Sequence, residues 1–386
     1  MPFLLAVTAI MQLSCAGDAC VAVRDNGTVL VWGRYNPVKE LKSDTPREVP
    51  GLSGVKKVAA GSEFFLALKQ DGSVWSWGVN RHGVLGINTL EEARFNRLTD
   101  SEVPVRIAGL TGVADISVMG HSAFALKSDG TVWAWGYHSN GSLGTGLIPS
   151  PTPARRPASM DQPFPVQVAG LQGVKQVAAG FYHALALLQD GRVMGWGSNS
   201  LGAVGDGTTE HRWEPVPVKG LADVIKVAAG SESSLAILKD GTVRVWGNNS
   251  SGILLNGTKD GFHPEPIPVS GIRTAVDGAA GAGHMLVLLA SGSIQCWGFN
   301  GWGHCGDGKT GGYALSIVTT RNISGVAWMG AGANSSFAMT KDGRLMGWGA
   351  LYTEPMNPGG IYWSALPVEW TEQGWFRPAG YARKPQ

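Results

Sequence analysis

Apolar and polar positions alternate with period two in short bursts along the chain, and the bursts come in groups. The segment VIKVAAGSESSLAILKDGTVRVWGNNSSG, residues 224–252, is one such group. Apolar residues alternate on both sides of Asp240-Gly241, which predicts two strands joined by a tight hairpin, because glycine supplies the positive φ the turn needs. VIKVAAG before the hairpin and the proline-rich PEPIPV after it are also of strand length. Each group therefore predicts four short strands.

The group recurs. Trp-Gly stands at Trp32, Trp77, Trp135, Trp196, Trp246, Trp297 and Trp348, and five residues before each tryptophan lies Gly27, Gly72, Gly130, Gly191, Gly241, Gly292 or Gly343. Four-stranded units repeated about every 50 residues predict blades around an axis. An alanine column in the second strand (Ala22, Ala67, Ala125, Ala186, Ala236, Ala338, with Val287 as the exception) suits close packing between blades, and the tryptophan is expected to fill the space between them.

Composition agrees. Glycine makes up 56 of 386 residues, about twice the usual share of about 7%, and only 16% of residues are charged, which together suit short strands and many turns. The 44% hydrophobic content excludes a disordered chain. A formal charge of +2, with no basic stripe, argues against nucleic acid as a partner. Beyond the N-terminal segment no apolar run is long enough to span a membrane. The opening MPFLLAVTAIMQLSCAG lacks the basic start of a signal peptide and aligns with the repeat, so it is expected to be a strand and the location cytoplasmic, with secretion the alternative.

The pattern VAAGxxxxLALxxDGxVWxWGxNxxGxLG resembles that of the regulator of chromosome condensation (RCC1-type) repeat family, from about residue 10 to about residue 370. The resemblance implies an all-β, seven-bladed β-propeller of four-stranded antiparallel blades, residues 1–370, followed by a C-terminal tail, residues 371–386. How the ring closes stays open; the Met1–Ile10 segment could pair near ALPVEW of the last unit.

Candidate chemistry is sparse. GHCGDGKT, residues 303–310, fits G-x-x-x-x-G-K-[ST], but a phosphate loop needs a helix after it, and here GGYALSIV reads as a strand, so a chance match is expected. Cys296, His304 and Cys305 lack a fourth ligand and C-x-x-C spacing, so no metal is expected and these cysteines are read as thiols. No catalytic residue and no cofactor is assigned.

In a meander the first and third loops of each blade emerge on one rim, so variation gathers on one face. Two insertions, residues 87–102 and 145–163, fall there. In the family this rim is where proteins dock, and the matching positions are Glu63, Tyr182, Glu232 and Asn334. Aromatic and arginine anchors add Phe64, Arg94, Phe95, Arg155, Arg156, Phe181 and Trp213. His183 and His284 occupy the family's GxxH position and are expected to bond backbone within the blade, whereas His121, off that register, is expected at the surface. These positions imply a non-enzymatic, monomeric scaffold that binds another protein. Alternatives implied by the family are a guanine-nucleotide exchange factor for a Ran-like GTPase and an inhibitor of a secreted enzyme. The G-W-R-H-T pattern of the plant ultraviolet-receptor branch is absent.

Overall fold

The computed structural model describes residues 10–16, 19–36, 41–94, 97–148, 161–351, 362–371 and 374–375. Seven antiparallel sheets follow one another along the chain, each built from consecutive strands, and form an all-β seven-bladed propeller. In the fifth blade the strands run Val224–Ala229, Ser233–Leu238, Val243–Asn248 and Phe262–Val269 from the axis outward. Each pairs with the next. Inner strands of successive blades touch around the axis, the last against the first.

Blades are joined by their tryptophans. All seven of the Trp-Gly column are buried, and in blades 3 to 7 the indole N–H donates to a carbonyl in the third loop of the blade before it, whereas Trp32 Nε1 of blade 1 meets no partner among the described residues. Trp135 reaches Val84 O at 2.8 Å, Trp246 reaches Ala203 O at 2.8 Å, Trp297 reaches Ile253 O at 2.8 Å and Trp348 reaches His304 O at 2.7 Å. An asparagine two residues after the Trp-Gly pair holds that loop in shape. Asn199 Oδ1 accepts Val204 N–H at 2.9 Å while its amide donates to Asp206, and Asn249 and Asn300 do the same for Leu254 and Cys305. The opposite face is tied by the Asp-Gly turns, with Ala275 N–H donating to Gly241 O at 3.1 Å across the blade boundary.

At the axis the glycine ending VAAG has a different task. A Cβ on Gly230 would stand 2.6 Å from Gly281 O of the next blade, one on Gly281 2.8 Å from Gly332 O, and one on Gly332 2.9 Å from Cys15 O. The last of these approaches closes the ring. Blade 7 meets blade 1 by packing, through Leu13, Trp32, Phe337 and Val368, and ALPVEW pairs within its own blade, along Leu345–Leu351. The expected pairing partner, residues 1–9, lies outside the described residues.

Several expectations are corrected. All four cysteines are disulfide-bonded, Cys15 to Cys20 and Cys296 to Cys305, where Cys296 and Cys305 were expected to be thiols. Cys15 and Cys20 face each other in the first hairpin. Cys296 and Cys305 occupy the places where, in blade 2, Ser76 Oγ donates to Leu85 O, so the covalent link replaces a contact the repeat already makes. The insertion at 87–102 contains a one-turn helix, Leu90–Arg94, opened by a Thr89/Glu92 capping box. Strand pairing runs past 370, since Trp370 pairs with Trp375 and a short fifth strand, Gly374–Trp375, flanks blade 7.

Gly230→Ala is expected to cost about 1–3 kcal/mol through overpacking at the axis. Gly312→Ala, where a Cβ meets nothing within 4 Å, is expected to change stability by under about 0.5 kcal/mol. Urea unfolding of both variants checks the contrast, and equal midpoints would refute the role given to the axial glycine.

Candidate protein-docking rim

The first and third loops of each blade share one face because a backbone hydrogen bond pins them together. Val79 N–H donates to Glu63 O, Tyr137 to His121 O, Ser198 to Tyr182 O, Asn248 to Glu232 O and Ala350 to Asn334 O, all at 2.8–2.9 Å. The rim therefore consists of the face anticipated from the meander, and its side chains can be placed individually.

Four candidates form one arc across blades 2 to 4. Glu63 is half-buried, sits at φ 69°, in the left-handed region that non-glycine residues avoid, and its carboxylate lies 3.3 Å from Arg81 Nε. Ser62 N–H donates to Gly120 O at 2.7 Å, joining blades 2 and 3. His121 follows, its ring 5.3 Å from that of His82. Gly120 in turn packs on the ring of Phe181, whose N–H reaches Gly230 O at 3.1 Å, and Tyr182 stands beside it, 48% exposed. Glu232 and Asn334 belong to blades 5 and 7, outside these three blades; Glu232 accepts from Asn248 Nδ2 at 3.0 Å within its own blade.

Other candidates fall elsewhere. Phe64 is fully buried, because it opens a second strand covered on both faces by neighbouring sheets, and it cannot anchor a partner. Trp213 is half-buried on an outer strand, its ring centre 5.6 Å from that of His138 in an edge-to-face arrangement. Arg94 ends the short helix. Phe95, Arg155 and Arg156 lie outside the described residues.

His121 is half-buried, not at the surface as expected, and burial first, then the charges of His82 and Arg81, push its pKa down. It belongs to a cluster that the repeat does not explain. His82 Nδ1 lies 2.7 Å from Asp161 Oδ2, the other oxygen of Asp161 accepts His138 N–H at 3.0 Å, and the edge of Tyr137 meets the ring of His82. Arg81, His82, Tyr137 and Asp161 were not singled out from the sequence. The available signal was departure from the columns: His138 stands where other blades carry the loop asparagine, and three of the eight histidines gather in blades 2 and 3.

His183 and His284 are structural, but they bond across the blade boundary and not within the blade. His183 Nε2 lies 2.8 Å from Ser234 Oγ, which donates to Ala203 O, the acceptor of Trp246; His284, Ser336 and His304 O repeat the chain. Burial pushes His183 down to about 4, against an interaction with the Ser231 backbone carbonyl that raises it. Burial also lowers His304 to about 4, and burial plus the His304 charge lowers His284 well below its ordinary value. The GHCGDGKT loop is not a phosphate cradle. Its N–H groups at Gly303, Cys305, Gly306, Gly308 and Lys309 all donate inside the protein, and a strand, Tyr313–Thr319, follows it.

Comparison with known proteins agrees with this architecture. A family model described as RCC1-like domain matches residues 3–285. The ultraviolet-B receptor UVR8 of Arabidopsis thaliana is 28% identical over 216 residues, covering 53% of this chain and 45% of that protein. The probable E3 ubiquitin-protein ligase HERC6 of Homo sapiens is 31% identical over 219 residues, 54% of this chain and 20% of that protein. The matches thus span less than half the length of either relative. Among solved structures, yeast RCC1 (Prp20) bound to Kap60 superposes with TM-score 0.73 at 22% identity over 94% of this chain and 84% of that one. Human WBSCR16 gives 0.72 at 20% identity over 85% and 84%. At these identities the structures speak for the fold.

Because an unfolded chain protonates histidine near pH 6.5 while the folded chain keeps His183 neutral to about 4, stability is full above pH 6.5 and falls as the pH drops through that window. The limiting slope is about 1.4 kcal/mol per pH unit for each such histidine. Denaturation midpoints measured from pH 7 to 4 should show this decline, and His183→Gln should flatten it by one proton's worth; an unchanged slope would contradict the assignment.

Proposed function

Since this chain belongs to the RCC1-like domain family, we propose that it is a binding protein that docks a partner protein on the rim of blades 2 to 4. The observation that carries this reading is the arc from Glu63 to Tyr182. It joins three blades, holds a non-glycine residue at positive φ, and adjoins His82, which bonds Asp161 near the end of the second insertion. Backbone strain of this kind is retained where the surroundings over-determine it, often at binding sites. An exposed tyrosine beside a partly buried phenylalanine, with charged Glu63 and Arg81 near, is the composition of an interface anchor with a polar surround.

Yeast RCC1 (Prp20) is described in complex with Kap60 and in terms of its binding to Gsp1p and histones. Protein binding, not catalysis, is accordingly the role assigned to this chain. Exchange-factor activity is the second reading, favoured by Glu63 on the arc. The pairing of all four cysteines favours an oxidising compartment over the cytoplasmic location expected from the sequence, because reducing cell interiors keep such cysteines as thiols.

The test is affinity capture from native lysate with wild type, with a Glu63→Ala/Phe181→Ala/Tyr182→Ala variant, and with an Arg192→Ala/Lys239→Ala control on the opposite face. A partner retained by the control and bound at least about tenfold more weakly by the arc variant is the expected result. Equal binding by all three proteins would sink the proposal, and nucleotide release from a captured GTPase would select the exchange-factor reading. For the compartment, intact mass after alkylation of the protein from its native source should show no adduct without reductant and four after reduction; adducts without reductant would return it to a reducing location.

A further inference from the structure

The outer strand of every blade ends its sheet, and an unguarded edge is a template for another chain. Proline guards it by removing an N–H that would otherwise point outward. One column of the repeat does this. The residue just before the one paired with Val31, Ser76, Ala134, Gly195, Val245 or Gly347 is Pro46, Pro104, Pro165, Pro215, Pro266 or Pro367. In blade 6 the equivalent pair is Cys296 with Val318, and the residue before Val318 is Ile317. Its strand, Tyr313–Thr319, contains no proline at all. Since six blades place a residue without an N–H at this position, the sheet does not need that donor, and the Ile317 N–H faces outward.

The side chains around this edge suit an occupant. Tyr313 and Leu315 are 43% and 41% exposed on one side of the strand. Lys259 lies over the Tyr313 ring at 4.1 Å, Lys309 precedes the strand and Arg321 follows it; all three are exposed, and none is ion-paired among the described residues. Asp260 and the buried Asp307 are the acidic residues next to this group in the chain, two against three cations, which leaves the edge net positive. Blade 7 shows that an outer strand of this chain accepts one more, since Gly374–Trp375 pairs with its outer edge.

We propose that the outer edge of blade 6 binds an extended, acidic segment of another protein by strand addition. The segment would pair with the outward groups of Tyr313–Thr319, set alternate apolar side chains on Tyr313 and Leu315, and direct carboxylates to Lys259, Lys309 and Arg321. Backbone pairing supplies affinity in such a mode, and the alternate side chains and charges supply selectivity. This surface is lateral and separate from the arc of blades 2 to 4.

The probe is a displayed library of random ten-residue peptides selected on the wild-type protein. Enriched sequences should alternate β-branched or aromatic residues with Asp or Glu, and synthetic copies should slow hydrogen exchange at the Ile317 amide. Ile317→Pro restores the residue of the other six blades and so should fold, as thermal unfolding can verify, yet bind the peptides at least about tenfold more weakly. Lys259→Glu/Arg321→Glu should weaken binding by about tenfold, the combined effect of two exposed ion pairs. The arc variant should bind them unchanged, which separates this site from the docking rim. Equal binding to Ile317→Pro, protection of amides elsewhere, or no enrichment of acidic strand-forming sequences would overturn the proposal. A wild-type dimer that Ile317→Pro converts to monomer would assign the edge to a second copy instead, and would overturn it as well.

Discussion

The hydrogen bond from the buried indole of each of blades 3 to 7 to the loop of the preceding blade is the interaction on which the molecule depends. A four-stranded sheet of this size cannot bury both faces alone, so a blade is stable only against its neighbours. The tryptophan solves two problems at once. Its ring fills the wedge between two twisted sheets, and its N–H, which would be costly to bury unpaired, finds a carbonyl held ready by the loop asparagine. The loop carbonyl cannot be supplied by a flexible segment. This is why Asn199, Asn249 and Asn300 recur, each spending its side chain on its own loop.

The same demand explains the buried histidines. In blades 4 and 6 the first residue of the second strand is His183 or His284, and its ring meets a serine of the next blade that shares the tryptophan's acceptor. Two donors then converge on one carbonyl, and the imidazole must stay neutral because no counter-charge accompanies it. Blade boundaries thereby carry directional polar contacts, which help fix the register of one sheet on the next. Blade 6 adds a covalent link at Cys296–Cys305 in the same loop, where other blades rely on packing or a serine hydroxyl.

A frame held this way leaves its loops free to differ. On one face the Asp-Gly turns are uniform because each is engaged with the next blade, as Gly241 O is with Ala275. On the other face the first loop is engaged chiefly through its backbone, as Glu63 O, Tyr182 O and the Ser62 and Phe181 N–H groups are, which leaves the identity of most side chains there open. Binding residues can gather on this rim without disturbing the ring. The outer strands form a second variable surface, where a guard column of prolines is broken at Ile317 alone among the described blades.

Much of this was legible in the chain. The Trp-Gly column, the Asp-Gly turns and the alanine column fix blade number, strand order and the variable face, because each is a local requirement of turn chemistry or close packing repeated seven times. Even the burial of Phe64 was readable, since Gly61 to Phe64 has the same spacing as Gly180 to His183 and places both side chains between sheets. Tertiary structure alone decided the rest. That Glu63, His121, Phe181 and Tyr182 share one arc while Glu232 and Asn334 do not depends on contacts between blades, which no spacing records. The pairing of Asp161 with His82, 79 residues apart, likewise required the sheets to be stacked first, because a side chain's partner is set by the neighbour the fold brings to it and not by its own position in the repeat.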